Sequence, residues 1–110
     1  MTDHDDKVRL RHMLDHAQEA ISMVGERERQ DLGQDRMLEL ALVRLIEIIG
    51  EALNRILKVS PDIAISDSRK IVDTRNRIIH GYDSITPDIL WLIIKRSLPI
   101  LRNEVSELLK

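Results

Sequence analysis

Apolar residues early in the chain fall at Leu10, Leu14, Ala17, Ile21 and Val24, the spacing that lays one buried stripe along an α-helix. The pattern predicts a helix from about Asp5 to Gly25, then a polar break over Glu26 to Asp35. From Asp35 to Val59 the apolar density rises. The charges Arg36, Arg44, Glu47, Glu51, Arg55 and Lys58 crowd into a band about a third of the circumference wide at 100° per residue. The rest is mostly Leu, Ile, Val and Ala, so this helix belongs at the centre, buried on most sides. Ser60-Pro61-Asp62 resembles a cap with proline at the first helical position, enough to open one short turn. A third helix starts near Asp67 or Ser68 and stops at Gly81. Thr86-Pro87-Asp88 opens a fourth, with a threonine N-cap, proline at the first position and an acid in the first turn. It continues to about Leu109 and is expected to kink at Pro99, whose ring removes the hydrogen bond to Lys95. The predicted architecture is all-α: a single domain, 1–110, folded as an up-down bundle of four main helices.

Composition changes this picture in a few respects. A chain of 110 residues holds a modest core but is short for a deep pocket of its own. Hydrophobic residues make up 43% of it, yet there is no Phe, one Trp and one Tyr, so the core is aliphatic. The lack of Cys removes disulfides, thiolate nucleophiles and cysteine metal sites together, and fits a reducing compartment. The longest clean apolar run, Ile89 to Ile94, is far short of a membrane span, and the acidic start is no signal peptide. A cytoplasmic protein away from membranes is expected. A net charge of -2 provides no global field to recruit phosphates, so any RNA contact must come from a local patch.

Candidate chemistry concentrates in Arg75-Asn76-Arg77-Ile78-Ile79-His80-Gly81-Tyr82. A permanent cation and a residue type that titrates near neutral pH form a minimal kit for phosphoryl transfer. Ile71, Val72, Ile78 and Ile79 mark the apolar face of the third helix, and Arg75 stands in the middle of it. Burying an unpaired guanidinium costs several kcal/mol. Arg75 therefore has a carboxylate partner, or its stripe faces a groove or subunit interface. His80 lies roughly 140° around the helix from Arg75, so the two do not converge within one ideal helix. Fraying at Gly81, or a second copy across a twofold axis, would bring them together. Glu47 and Glu51 read as part of a charged stripe neutralised by Arg44 and Arg55 through i,i+3 and i,i+4 contacts. Alternatively, that stripe borders the cleft and supplies the carboxylate for Arg75. Gly50 costs about 1 kcal/mol against alanine inside a helix, which is either a tolerated weakness or the permit for a close helix approach. His12 and His16 have metal-gripping spacing but lie opposite the Leu10–Leu14 stripe with no third ligand, so no metal site is expected.

The spacing Arg75-x4-His80-x-Tyr82 resembles the Arg-x4-His-x-Tyr signature of HepT-type toxins in the HEPN superfamily. Arg44 to Ala52 is similar to that family's second-helix segment, and the fourth helix with Trp91 and Pro99 also looks familial, so the resemblance covers essentially the whole chain. It implies an all-helical, metal-independent endoribonuclease of a type VII toxin–antitoxin pair, needing no cofactor and acting on messenger or transfer RNA as a homodimer whose two signatures line one cleft. Arg75 and His80 would be catalytic, with Asn76 orienting His80 or the phosphate. The resemblance further implies that a cognate minimal nucleotidyltransferase antitoxin silences the enzyme by attaching AMP to Tyr82. The competing class is a non-catalytic helical module that dimerises and docks a nucleotidyltransferase. The negative charge and the scarcity of aromatic stacking platforms speak for it.

Overall fold

The computed structural model describes residues 4–81 and 85–110. Helix α1 (His4–Val24) buries Leu10, Met13, Ala17, Ala20 and Val24, and ends where Gly25 turns left-handed at φ 53° and returns its N–H to the Ile21 carbonyl at 2.9 Å. The polar break that follows is not all loop. It contains a short helix, α2 (Arg29–Gln34), whose entry is held by the Glu28 N–H donating to the Asp31 carboxylate at 2.8 Å. Its one apolar side chain, Leu32, is fully buried and anchors it. A single apolar residue in a polar stretch carries no periodicity, which is why the pattern leaves this helix out.

The long α3 (Arg36–Val59) begins at Asp35, whose carboxylate accepts from the Leu38 N–H at 3.1 Å. It buries Leu38, Leu42, Leu45, Ile46, Ile49, Gly50, Leu53 and Ile56 and packs on both α1 and α4 (Ser68–Ile79), the central place its apolar density predicts. Ser60 to Ile63 forms only a turn, closed by the Ile63 N–H to the Ser60 carbonyl at 3.1 Å. The connection onward is pinned to the last helix of the chain. Ser66 donates its N–H and its hydroxyl to the Glu104 carboxylate at 3.1 Å.

Helix α5 (Pro87–Leu92) starts at the Thr86 cap, its hydroxyl oxygen accepting from the Ile89 N–H at 3.2 Å. It passes through a π-helical turn (Ile93–Ser97) into α6 (Leu98–Leu108), which lies on α1. The irregularity expected at Pro99 thus appears in the turn before it. The Leu98 N–H reaches back five residues to the Ile93 carbonyl, and this wider turn absorbs the donor that proline lacks. Among the described residues there is no strand, and no helix is long and apolar enough to cross a membrane.

Leu53 is completely buried in the second half of α3. Leu53→Ala is expected to cost about 2–5 kcal/mol, read as a lower denaturation midpoint at unchanged slope in urea.

Candidate functional site

The site begins with a missing side chain. A Cβ built on Gly50 of α3 would overlap the Arg75 Cβ of α4 and stand 3.0 Å from its Cγ and 3.3 Å from the Ile71 carbonyl oxygen. Glycine here is therefore the permit for a close approach, and it lets the stem of Arg75 lie directly against the α3 backbone. The arginine side chain as a whole is only 18% exposed.

It does not emerge alone. One terminal nitrogen donates to Glu51, the residue after the glycine, and the other donates to the Asn76 side-chain oxygen at 2.9 Å. Of the two acids on the α3 stripe, Glu51 is thus the one that meets Arg75. Glu47 instead pairs with Arg44 at 3.1 Å. Glu51 is shared: its second oxygen accepts from Arg55 Nε at 3.1 Å. The Arg55 hydrogen bond is the largest influence holding the Glu51 carboxyl below its ordinary value of 4.5, and the nearby charge of Arg75 adds to it against the opposing pull of desolvation. The Nε of Arg75 is buried without a hydrogen-bond partner. An unserved buried donor costs about 1–3 kcal/mol, so the protein carries a price at this residue that a leucine would not incur.

His80 caps the C-terminus of α4. Its N–H still bonds to the Asn76 carbonyl at 3.1 Å, and the chain leaves the helix only at Gly81, with φ 71°. The helix does not fray before His80. The roughly 140° between it and Arg75 therefore persists: Arg75 turns inward to α3 while His80 is exposed. Asn76 links them in a way the sequence does not announce. Its side chain holds the arginine, and its carbonyl holds the histidine backbone. Tyr82 lies outside the described residues.

Two further features are not marked by the hydrophobic pattern of the sequence. Helix α4 carries Arg69, Lys70, Arg75 and Arg77 against the single carboxylate Asp73, a local positive excess on a chain of net charge -2. Its basic residues are interleaved with apolar and neutral ones, so no run of charge marks them. Helices α1 and α3 also enclose a groove of about 400 Å³ in which His12, His16 and Arg9 face Arg44, Glu47, Glu51 and Arg55. The two histidines thus share a surface with the acid stripe. Among the described residues no cluster of three or more candidate ligands is arranged to hold a metal ion.

Known proteins resemble this chain along most of its length. The family described as Ribonuclease HepT-like matches residues 13–108. A protein of Thermococcus cleftensis named "Probable ribonuclease HepT" is 30% identical over 88% of this chain and 93% of its own. One of Methanocaldococcus jannaschii, named "Putative RNase MJ1380", is 29% identical over 96% of this chain and 98% of its own. A third, "Putative RNase TTE0752" of Caldanaerobacter subterraneus, is 30% identical over 92% and 91%. No solved structure gives a significant match.

Two outcomes test the seam. Gly50→Ala gains about 1 kcal/mol of helix propensity but must push the Arg75 stem away, and overpacking costs about 1–3 kcal/mol; a net loss of stability is expected in urea melts. Because the Glu51 carboxyl is held low, its pairing stabilises the fold above the ordinary glutamate value and is lost as pH falls through the lowered one. The stability gap between wild type and Glu51→Gln should be full near neutrality and close on acidification below pH 4.5. A gap that stays constant would show that the pairing adds nothing.

Proposed function

This chain belongs to the HepT-like ribonuclease family of the HEPN superfamily, and from that premise we propose that it is an endoribonuclease acting through Arg75 and His80. The observation that carries this reading is the seam at Gly50. A guanidinium is held in a greasy contact at the expense of an unserved donor, by a carboxylate and an amide that leave it partly open. Structure of that kind is expensive for a purely structural ion pair, since a hydrophobic residue would do as well or better there. It suits a cation prepared for a phosphate. The basic surface of α4 answers the objection from net charge, because it concentrates positive field on the helix that bears the signature.

In the proposed reaction Arg75 binds the scissile phosphate and stabilises the charge that develops on it. His80 removes the proton from the ribose 2'-hydroxyl, whose oxygen attacks the phosphorus. The bond to the 5'-oxygen breaks, that oxygen is protonated, and the products are a 2',3'-cyclic phosphate and a 5'-hydroxyl. Arg75 and His80 of one copy diverge around α4, so the site is completed by a homodimer in which a second signature faces the first. A mixed surface, with Arg36 and Glu39 beside exposed apolar side chains, supports this. Leu40, Val43 and Ile78 line a groove beside Gly81, and Met37, Leu40 and Ile79 on the same helices are exposed by 83%, 52% and 45%. By the same family resemblance, the protein is the toxin of a type VII pair in the cytoplasm. Its partner is a minimal nucleotidyltransferase that attaches AMP to Tyr82, placing negative charge next to His80, where RNA would be repelled.

Purified wild-type protein is expected to cut single-stranded RNA in the presence of chelator and leave cyclic phosphate ends. Arg75→Ala and His80→Ala should each lower the rate at least about a hundredfold while the helical CD spectrum persists. Full activity in His80→Ala would sink the assignment. Absence of cleavage by the wild type would leave a docking module in its place. Co-expression with the nucleotidyltransferase should add the mass of AMP to the peptide containing Tyr82, and an unmodified tyrosine would remove that part of the proposal.

A further inference from the structure

Helices α4 and α5 both pack on α3 but do not pack closely on each other. The space between them is an open groove of about 480 Å³, lined by Lys70, Asp73, Thr74 and Arg77 from α4 and by Ile89, Leu92 and Ile93 across from them. A volume of that order accepts one small ligand. Its apolar wall includes Leu92, which is 53% exposed although its neighbours Ile93 and Ile94 are buried. The groove does not belong to the seam, because Arg75 points the other way, into α3. It belongs to the side of His80. At 100° per residue Asp73 lies about 20° and Arg77 about 60° from His80 around the helix, and Arg77 is less than one turn below it.

We propose that this groove is a nucleobase subsite, taking one unstacked base of the RNA strand next to the phosphate that His80 serves. The inference rests on the ribonuclease reading and adds to it where the neighbouring nucleotide goes. The occupant follows from the chemistry of the walls. Lys70 and Arg77 line the groove from α4, where backbone phosphates can meet them, and the facing wall of Ile89, Leu92 and Ile93 is aliphatic. Single-stranded RNA is recognised by splaying bases onto flat or apolar surfaces, and a guanidinium plane serves where aromatic rings are lacking. This chain has one Trp and one Tyr, and among the described residues no aromatic ring lines the groove. The base would therefore lie between Leu92 and the plane of Arg77. Asp73, whose carboxylate accepts hydrogen bonds only, would favour a base that presents an amino group.

The test uses the full chain and a short single-stranded RNA carrying 2'-deoxy sugars to prevent cleavage, with 6-thioguanosine placed at one position at a time for photocrosslinking. At one position the crosslink should map to Ile89–Ile93 or to Lys70–Arg77. Leu92→Glu should weaken binding of the same RNA at least about tenfold, and Leu92→Gln, which removes the apolar contact without adding charge, should weaken it less. Asp73→Asn should change which base is preferred at one position of the cleaved RNA. Crosslinks confined to other segments, or unchanged binding in Leu92→Glu with a native melting curve, would overturn the proposal. So would dissociation of a wild-type dimer by Leu92→Glu, since the groove would then be a contact between copies. Binding is read without cleavage, so the two readings fail separately. A protein that crosslinks in the groove but never cuts loses only the enzyme, and one that cuts but crosslinks elsewhere loses only the subsite.

Discussion

The close contact of Gly50 with the stem of Arg75 is the constraint on which the candidate site is built. In a bundle this small, two helices that carry full-sized side chains at their crossing hold their axes about 8–10 Å apart, and an arginine between them would have to leave sideways into solvent. Removing one Cβ changes that. The arginine stem fills the space a core side chain would occupy, and the guanidinium surfaces beside the very next residue of α3, Glu51. The acid is thus brought to the arginine by the same local geometry that admits it. Ile49 and Leu53, about 100° and 60° around the helix from Gly50, are fully buried, so α3 cannot rotate to relieve the contact without exposing core.

The electrostatics of the seam follow from that geometry. Glu51 serves Arg55 and Arg75 together, which keeps it ionised and makes it a weaker claimant on either cation than a dedicated partner would be. On the proposed reading, a phosphate approaching Arg75 would compete with half of a carboxylate, not a whole one. This arrangement resolves an apparent conflict in the chain. A protein of net charge -2 is a poor general binder of nucleic acid, yet α4 presents four cations and one acid, and the nearest negative charge in the seam is already divided. On the proposed reading, phosphate affinity confined to one helix would give a local site without general stickiness, which would suit an enzyme that must act on a strand and let it go.

Much of this was legible in the sequence, and the boundary of legibility has physical causes. The four long helices, the central place of α3, the stops at Gly25 and Gly81 and the start at Thr86 follow from periodicity and capping chemistry, which are local and strong. The oddity of Arg75 was equally visible, because a charge in an apolar stripe violates a local rule. What answers it was visible only as alternatives. Whether Glu47 or Glu51 pairs with it depends on the crossing angle and axial register of α3 and α4, which no local pattern encodes. Helix α2 was hidden because one buried leucine makes no period, and the π turn because proline marks its own position and not the turn that adjusts to it. The groove between α4 and α5 was hidden for a deeper reason. It arises from two helices failing to meet, and an absence of contact leaves no mark on either sequence.

The phase of α4 bears most directly on how such a site works. A helix that keeps its hydrogen bonds through His80 fixes the angle between that residue and Arg75, and no rotamer change within one copy removes it. An active site built from a single chain would have needed the opposite design, with an early glycine or a frayed last turn. Here Gly81 comes one residue too late to free the histidine backbone. The divergence assigns the two side chains to different surfaces. Arg75 opens at the α3–α4 seam, and His80 stands at the helix end between the exposed apolar surface around Leu40 and Ile79 and the groove beside Leu92. On the proposed reading a second copy covers the first of those surfaces and RNA the second. A symmetric pair would then place a histidine of each chain on one strand, one able to accept the proton of the attacking hydroxyl and the other to supply the leaving oxygen. A rigid helix, which looks like an obstacle to catalysis within one chain, is what would make two chains act as one site.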